Sequence, residues 1–182
     1  AGSAAAEVVS HWPEVVAAPN AAAAGRVQAW AVGPGLGTDE AAVTALTYAL
    51  NSDLPVIVDA DGLTILSHHP HLVSERDAPT VLTPHAGEFE RLAGAGPGMD
   101  RVAATRRLAD AFGATVLLKG NVTVIAEPGG PVYLNPAGGS WAATAGSGDV
   151  LSGVIGALLA AGLAPVEAAA AAAFVHARAA NA

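Results

Sequence analysis

A glycine-rich turn that leads into one acidic residue is the segment of this sequence best suited to chemistry. Gly146, Ser147 and Gly148 precede Asp149, at the start of an apolar stretch that is predicted to be helical. Backbone N–H groups in such a turn can form an anion site, which the helix dipole strengthens. Asp149 could then take a proton from a substrate hydroxyl while the turn stabilises a transferred phosphoryl group. Helix capping by Asp149 is the alternative interpretation.

A lysine follows a predicted strand in the segment ATVLLKGNVT, where a nucleotide could bind. Lys119 can offset phosphate charge, and the backbone of Gly120, Asn121, Val122 and Thr123 can hydrogen-bond a nucleotide. A solvated lysine in an ordinary turn is the alternative interpretation.

A histidine and a glutamate lie three residues apart at a predicted helix start, in TPHAGEFERL. The N-terminus of that helix could receive an anion beside His85, and Glu88 could hold a metal-bound water. The alternative is a capping box, with Thr83 or His85 near the cap and Glu88 reaching back.

The glycine-rich loop GPGLGTD follows the first predicted strand. It matches neither the phosphate-binding pattern G-x-x-x-x-G-K-[ST] nor the dinucleotide pattern G-x-G-x-x-G. Gly35 and Gly37 still allow a ligand to approach the backbone closely, because glycine has no side chain. A tight turn between a strand and a helix is the alternative interpretation.

Three histidines, His68, His69 and His71, are clustered in SHHPHLV. A metal site there is one interpretation. A solvated loop is favoured, because no cysteine or carboxylate in this segment completes a set of metal ligands.

Strands that alternate with helices predict how these segments are brought together. Strands are predicted at residues 27–32, 56–58 and 80–83, and the first and third of these are followed by a loop and a predicted helix. A continuous apolar run such as 56–58 suits a parallel strand that is buried on both faces. Open parallel sheets bind ligands at the carboxyl ends of their strands, so we expect the loops to meet there. These loops are residues 33–37, 59–61, 83–88 and 119–123.

The remaining segments complete an α/β fold with a mostly parallel sheet. Three short strands are predicted within residues 114–135, the last two as a hairpin around 128–130. No repeat or linker marks a second domain, so residues 1–182 are predicted to form a single domain. Helices are predicted at residues 86–92, 99–113, 147–162 and 165–181.

Composition excludes several classes of protein. Of the 182 residues, 52% are hydrophobic and 13% are charged, which argues against disorder. The net charge of -8, with 8 basic and 16 acidic residues, argues against a nucleic-acid binder. The most apolar run, residues 150–163, is shorter than the roughly 20 residues that cross a bilayer. With no cysteine and no signal-peptide pattern, we expect a cytoplasmic protein without a membrane partner.

Taken together, the motifs resemble the ADP- or ATP-dependent NAD(P)H-hydrate dehydratase family of the ribokinase-like superfamily. The resemblance rests on AVGPGLG, PVIVDADGL, VLTPHAGEFERL, VLLKGNVTVIA and NPAGGSWAATAGSGDVLSGVIGALLAAG, in that order, and covers roughly residues 27–180. It implies a three-layer α/β/α fold and the repair of hydrated NADH or NADPH. A nucleotide phosphorylates the hydroxyl of the reduced nicotinamide ring, and phosphate then leaves.

The resemblance also implies roles for individual residues. Asp149 deprotonates the ring hydroxyl, while Gly146, Ser147 and Gly148 hold the phosphoryl group. Glu88 falls where related kinases have an N-x-x-E motif tied to Mg²⁺, although His85 replaces the asparagine here. The adenine nucleotide is held by Lys119, Gly120, Asn121, Val122, Thr123 and Gly148, and the hydrated cofactor by Gly35 or Gly37, His85 and Asp149.

Family members usually carry a longer N-terminal region, so the resemblance implies that the first strands of the sheet are missing from this chain. We therefore expect residues 1–182 alone to be poorly active or to associate with the missing part. The resemblance further implies a homo-oligomer of four or more copies. Two alternatives remain open: a kinase for a vitamin-precursor alcohol of the hydroxyethylthiazole or hydroxymethylpyrimidine type, and a catalytically weak nucleotide-binding fragment.

Overall fold

One six-stranded sheet organises the chain in this computed structural model, which describes residues 2–136 and 144–180. Strands that are consecutive in sequence are neighbours in space. The first four are parallel, and the last two continue the sheet antiparallel as a hairpin. The strands are β1 (Trp30–Val32), β2 (Val56–Val58), β3 (Thr80–Leu82), β4 (Thr115–Leu118), β5 (Thr123–Ala126) and β6 (Val132–Asn135).

Eight helices lie among the described residues, together with a single 3₁₀ turn at Ala21–Ala23. Five of them connect or follow the parallel strands, and two complete the chain. They are α1 (Gly2–His11), α2 (Glu40–Leu50), α3 (Asp61–His68), α4 (His71–Ser74), α5 (Ala86–Ala93), α6 (Arg101–Phe112), α7 (Ser147–Ala160) and α8 (Pro165–Ala179). No helix in the described part of the chain has the length and hydropathy needed to cross a bilayer.

The two faces of the sheet are buried against different helices. Val56 and Val58 point into a core formed with helices α2 to α6, where Leu46, Leu66 and Leu108 are buried. Alternate residues such as Ile57 belong to a second core, formed with α7 and α8. Side chains alternate between the faces of a strand, so an unbroken apolar strand joins both cores. The predicted three-layer α/β/α architecture with a mostly parallel sheet is therefore confirmed.

The first strand is shorter than its predicted span of 27–32. Its ladder begins where the N–H of Trp30 donates to the carbonyl of Pro55 at 2.9 Å. Proline has no N–H group and cannot extend the pairing further back. The strand consequently covers Trp30–Val32 alone.

The histidine cluster lies in a helical connection, so the prediction of a loop there was wrong, although the three side chains are exposed or partly exposed as a solvated segment requires. His68 ends α3, His69 follows it as the C-cap, and His71 begins the short helix α4. Val73 of α4 is 1% exposed, and its burial accounts for a helical turn at this position.

Candidate functional site

Three loops continue the hydrogen-bond ladder beyond the carboxyl ends of the parallel strands. The N–H of Asp59 donates to Val32 O at 3.0 Å, and that of Thr83 donates to Val58 O at 3.2 Å. The N–H of Lys119 donates to Pro84 O at 2.8 Å. The loops after β1 to β4 thus leave the sheet side by side, as the alternation of strands and helices predicts.

A buried aspartate lies at the centre of this edge. Asp59 follows β2 directly and is 1% exposed. Its Oδ1 accepts from the Lys119 ammonium at 2.7 Å and from the N–H of Ala60 at 2.9 Å. Its Oδ2 accepts from the hydroxyl of Ser152 on α7 at 2.7 Å. The carboxylate therefore joins β2, β4 and α7.

The start of α5 carries a capping box and also faces the lysine. Nδ1 of His85 accepts from the N–H groups of Gly87 and Glu88, at 3.0 and 3.3 Å. The Glu88 carboxylate reaches back to the N–H of His85 at 2.8 Å. Glu88 is buried, at 7% exposure, and its Oε2 also lies 3.6 Å from Nζ of Lys119. The capping interpretation is correct, and Glu88 contributes a second carboxylate beside Lys119 as well.

The glycine-rich start of α7 lies next to the same lysine. A Cβ atom at Gly148 would lie 3.6 Å from Lys119 Nζ and 3.7 Å from Asp59 Oδ2. The preceding Gly146 is the N-cap and has a φ of 84°, in the left-handed region that glycine adopts readily. The candidate base, Asp149, is exposed in the first turn of α7. An exposed acid therefore directly follows the glycine turn that lies beside the Lys119 ammonium.

The N–H groups of this turn are partly used within the chain. That of Ser147 donates to Thr144 O at 3.1 Å, and that of Asp149 to Gly146 O at 3.1 Å. In residues 2–136 and 144–180, the N–H groups of Gly146 and Gly148 donate to no protein acceptor. These two groups are the ones that remain for an anion.

The Gly33 loop is shaped by close contact with the backbone of β2. A Cβ atom at Gly33 would lie 1.7 Å from the carbonyl oxygen of Asp59, so only glycine fits. The N–H of Gly37 donates to the carboxylate of Asp61 at 2.8 Å and is occupied. At both Gly35 and Gly37 a Cβ atom would meet nothing within 4 Å, so the two predicted glycines leave similar room for a ligand. They differ in that the N–H of Gly37 is already bonded to Asp61.

An arginine from α6 supports the loop after β4. The guanidinium of Arg101 donates to Lys119 O at 3.2 Å. A Cβ atom at Gly120 would lie 2.6 Å from Nη2 of Arg101, so the guanidinium packs directly on this glycine. The hydroxyl of Thr123 donates to Gly120 O at 3.4 Å, and Val122 is 39% exposed.

Four residues around the site were assigned no role by the sequence interpretation. Asp59 had a signal, because it ends a strand at the ligand-binding edge. Ser152 follows Asp149 by three residues and therefore lies near it on the helix surface. No sequence pattern pointed to Arg101 or His176. The alanine-rich sequence of α8 indicates only helix packing, yet Nε2 of His176 on this helix lies 2.9 Å from the Ser147 hydroxyl.

The carboxylates fit Mg²⁺ only through water and a bound nucleotide. Across the parts of the chain that the structure describes, no three His, Cys, Asp or Glu side chains are grouped to hold a metal. Both oxygens of Asp59 and one of Glu88 already accept hydrogen bonds. Mg²⁺ typically binds one or two carboxylates together with waters and substrate phosphates, and this donor set is compatible with that mode.

The whole chain matches an established sequence family. Residues 2–182 match the family described as Carb_kinase, NAD(P)H-hydrate dehydratase. A bifunctional NAD(P)H-hydrate repair enzyme of Mycobacterium tuberculosis is 78% identical over 93% of this chain, which spans 36% of that protein. An ADP-dependent (S)-NAD(P)H-hydrate dehydratase of Neisseria meningitidis is 44% identical over 96% of the chain, which spans 62% of that protein.

Solved structures agree with this match. An ADP/ATP-dependent NAD(P)H-hydrate dehydratase from Bacillus subtilis, co-crystallised with ATP and Mg²⁺, has a TM-score of 0.73 and 34% identity. The comparison covers 85% of this chain and 55% of the Bacillus chain. A ribokinase-like superfamily protein from Enterococcus faecalis has a TM-score of 0.73 at 30% identity, covering 83% of this chain and 54% of its own.

Proposed function

This chain belongs to the NAD(P)H-hydrate dehydratase family, and we propose that it carries the chemistry that returns hydrated NADH or NADPH to the reduced cofactor. The reaction is a dehydration driven by a nucleotide phosphoryl donor, ADP or ATP. The chain spans 36% of the length of the Mycobacterium relative. The proposal therefore concerns the nucleotide-dependent dehydration and no other activity of the longer relatives.

The position of Gly148 is the observation that carries this proposal. It lies beside the Lys119 ammonium, and its N–H has no acceptor within the described residues. A phosphoryl group in this gap meets a positive charge on one side and the positive end of the α7 dipole on the other. Asp149 is one residue further along the chain and exposed to an incoming hydroxyl. Phosphoryl transfer depends mainly on such positioning and charge stabilisation.

In the first step, Asp149 accepts the proton of the ring hydroxyl while the hydroxyl oxygen attacks phosphorus. The new O–P bond forms while the bond from that phosphorus to the nucleotide oxygen breaks. In the second step the ring C–O bond breaks and phosphate leaves with the electron pair. The lone pair of the ring nitrogen compensates, and loss of a proton from the adjacent ring carbon restores the double bond.

The nucleotide is proposed to bind along Lys119, Gly120, Asn121, Val122 and Thr123, with its phosphates directed at Gly148. The exposed side chain of Val122 supports an apolar contact with the adenine ring. Arg101 stabilises the loop after β4 through its bond to Lys119 O. Glu88 would hold Mg²⁺ through a water molecule. Mg²⁺ held there would supply positive charge to offset the charge of the phosphates.

The hydrated cofactor is proposed to bind beside Asp149 and to contact the loops that follow β1 and β3. Gly35 supports this placement because the space beside it is open. The His85 side chain is 55% exposed beside the capped start of α5 and can reach a ligand. Gly37 contributes to the shape of the loop, since its N–H is taken by Asp61.

We extend two further expectations from the family resemblance to the whole protein. It is a homo-oligomer of four or more copies, and it acts in the cytoplasm on a small-molecule substrate. Light scattering measures the first, and fractionation of cells that produce the protein measures the second.

Conversion of hydrated NADH tests the proposed activity. The protein is incubated with hydrated NADH, Mg²⁺ and either ADP or ATP, and the absorbance band of reduced nicotinamide is followed. We expect the band to grow only when nucleotide is present. Phosphorylation of a thiazole alcohol without any growth of this band would contradict the proposal and favour a vitamin-precursor kinase.

Replacing the candidate base gives the first prediction. We expect Asp149→Asn to lower kcat by about 100-fold or more, because general base catalysis contributes roughly 10² to 10⁴. Glu167→Gln is the matched control, since Glu167 is an exposed acid at the third position of the next helix, α8, as Asp149 is in α7. Similar kcat values for the two variants would show that Asp149 is not the base.

A further inference from the structure

Asp59 is the buried group that connects the lysine to the helix carrying the candidate base. We propose that Asp59 is a positioning residue, which fixes the separation between the Lys119 ammonium and the first turn of α7. The proposal rests on the function above for its kinetic readout. The Asp59 carboxylate lies next to Gly148, and it acts on the phosphoryl site through its bonds to Lys119 and Ser152.

The backbone around Asp59 is constrained in a way that fixes the direction of its carboxylate. Ala60 has a φ of 48°, and among the described residues it alone combines a side chain with positive φ. Its N–H donates to Asp59 Oδ1 at 2.9 Å, and Gly33 packs against the Asp59 carbonyl. Strained backbone of this kind persists where the surrounding structure determines it, and it is enriched at functional sites.

The link from Asp59 to α7 runs through one hydroxyl proton. Ser152 lies 2.7 Å from Asp59 Oδ2 and 3.1 Å from the carbonyl of Gly148 in its own helix. A hydroxyl has a single proton, and the shorter bond to a carboxylate is the stronger one. Ser152 is one helical turn beyond Gly148, so this bond fixes how far the turn stands from Asp59.

The link from Asp59 to the nucleotide loop runs through the ammonium of Lys119, the only lysine in the sequence. Its Nζ is 2.7 Å from Asp59 and 3.6 Å from Glu88. The two carboxylates hold the ammonium on the side of Gly148 rather than leaving it extended into solvent. A phosphoryl group bound at Gly148 therefore finds the positive charge already in place.

A single hydroxyl deletion tests the link to α7. We expect Ser152→Ala to lower kcat about tenfold while the KM for the nucleotide changes by less than about threefold, because small displacements at a reacting centre reduce turnover strongly. Thr105→Val is the matched control. Thr105 is a fully buried helix hydroxyl that, like Ser152, lies within hydrogen-bond distance of the carbonyl four residues earlier, but within the described residues it makes no hydrogen bond outside its own helix.

A double-variant cycle tests whether Ser152 acts through Asp59. We expect Ser152→Ala to have no further effect on kcat when Asp59→Ala is already present, since coupled groups are non-additive. Multiplied losses would overturn the proposal. Equal kcat values for Ser152→Ala and Thr105→Val would also overturn it. The same holds if the lower kcat of Ser152→Ala is fully explained by a smaller fraction of folded protein.

Amine acylation provides a readout that does not depend on turnover. Lys119 is the only lysine, so mass spectrometry of acylated protein reports its labelling rate directly, apart from the N-terminal amine. We expect saturating ADP to protect Lys119 in the wild type and in Thr105→Val, and to protect it several-fold less in Ser152→Ala. Equal protection in all three proteins would overturn the role of Asp59, even if hydrated NADH proved not to be the substrate. If Asp59→Ala does not fold, the Ser152→Ala comparison decides.

Discussion

At the scale of single residues, Gly148 is where the anion-friendly turn meets the charged cluster. A methyl group there would be in ordinary contact distance of Lys119 and Asp59, so the fold can accommodate it. It would nevertheless fill the gap in which the phosphoryl group is proposed to bind. Stability and activity should therefore separate at this position.

Replacement of Gly148 by alanine makes this separation measurable. We expect the free energy of unfolding to stay constant or rise by up to about 1 kcal/mol, because alanine favours a helix over glycine. We expect kcat/KM to fall at least about tenfold, since a stabilising N–H group becomes obstructed. Gly153→Ala is the control, because Gly153 is exposed on the same helix and a Cβ atom there meets nothing within 4 Å. Wild-type kcat/KM in Gly148→Ala would place the phosphoryl group elsewhere.

At the scale of elements, one arginine connects the segments at the amino ends of the parallel strands, opposite the candidate site. The guanidinium of Arg76 is half-buried, and its burial lowers the pKa from the ordinary value while the charge of Asp53 opposes this shift. It ties the end of α2 to the segments that lead into β2 and β3. Its acceptors are the carbonyls of Leu50, Ser52, Leu54, Ala78 and Pro79 and the hydroxyl of Thr80.

Removing this side chain should affect stability rather than chemistry. We expect Arg76→Ala to lower the free energy of unfolding by about 2–4 kcal/mol, because several carbonyls lose a charged donor. Arg76→Lys should recover only part of this loss, since an ammonium cannot donate in a planar fork. The exposed Arg107 of α6 provides the control variant Arg107→Ala. Denaturant unfolding measures the effect, and equal midpoints for Arg76→Ala and Arg107→Ala would contradict it.

Which elements could be predicted from the sequence depends on how locally each is determined. Val56–Val58 and Thr80–Leu82 are continuous apolar or β-branched runs, and the structure places strands there. The short helix His71–Ser74 was missed because burial of Val73 is a tertiary effect. The first strand is shortened by Pro55, which directly precedes the neighbouring strand β2 and is distant from β1 in sequence.

At the scale of the whole molecule, the site joins segments that are distant in sequence. Asp59 is 60 positions from Lys119 and 93 positions from Ser152. Sequence patterns predict that the loops meet at one edge of the sheet, because this follows from parallel topology. They do not predict which side chains pair there, since that depends on the register of four strands and the docking of α7. Asp59 therefore had a predicted location but no predicted partners.

The long separation between Asp59 and Ser152 has a consequence for folding kinetics. Contacts that close long loops form slowly, because the chain loses entropy before they are made. During refolding from denaturant, we expect helical circular dichroism to recover before turnover does, since α7 must dock on a formed sheet before the bond to Ser152 can close. Coincident recovery of the two signals would contradict this order. The rate at which turnover recovers then measures the docking of α7, which is the last step of folding.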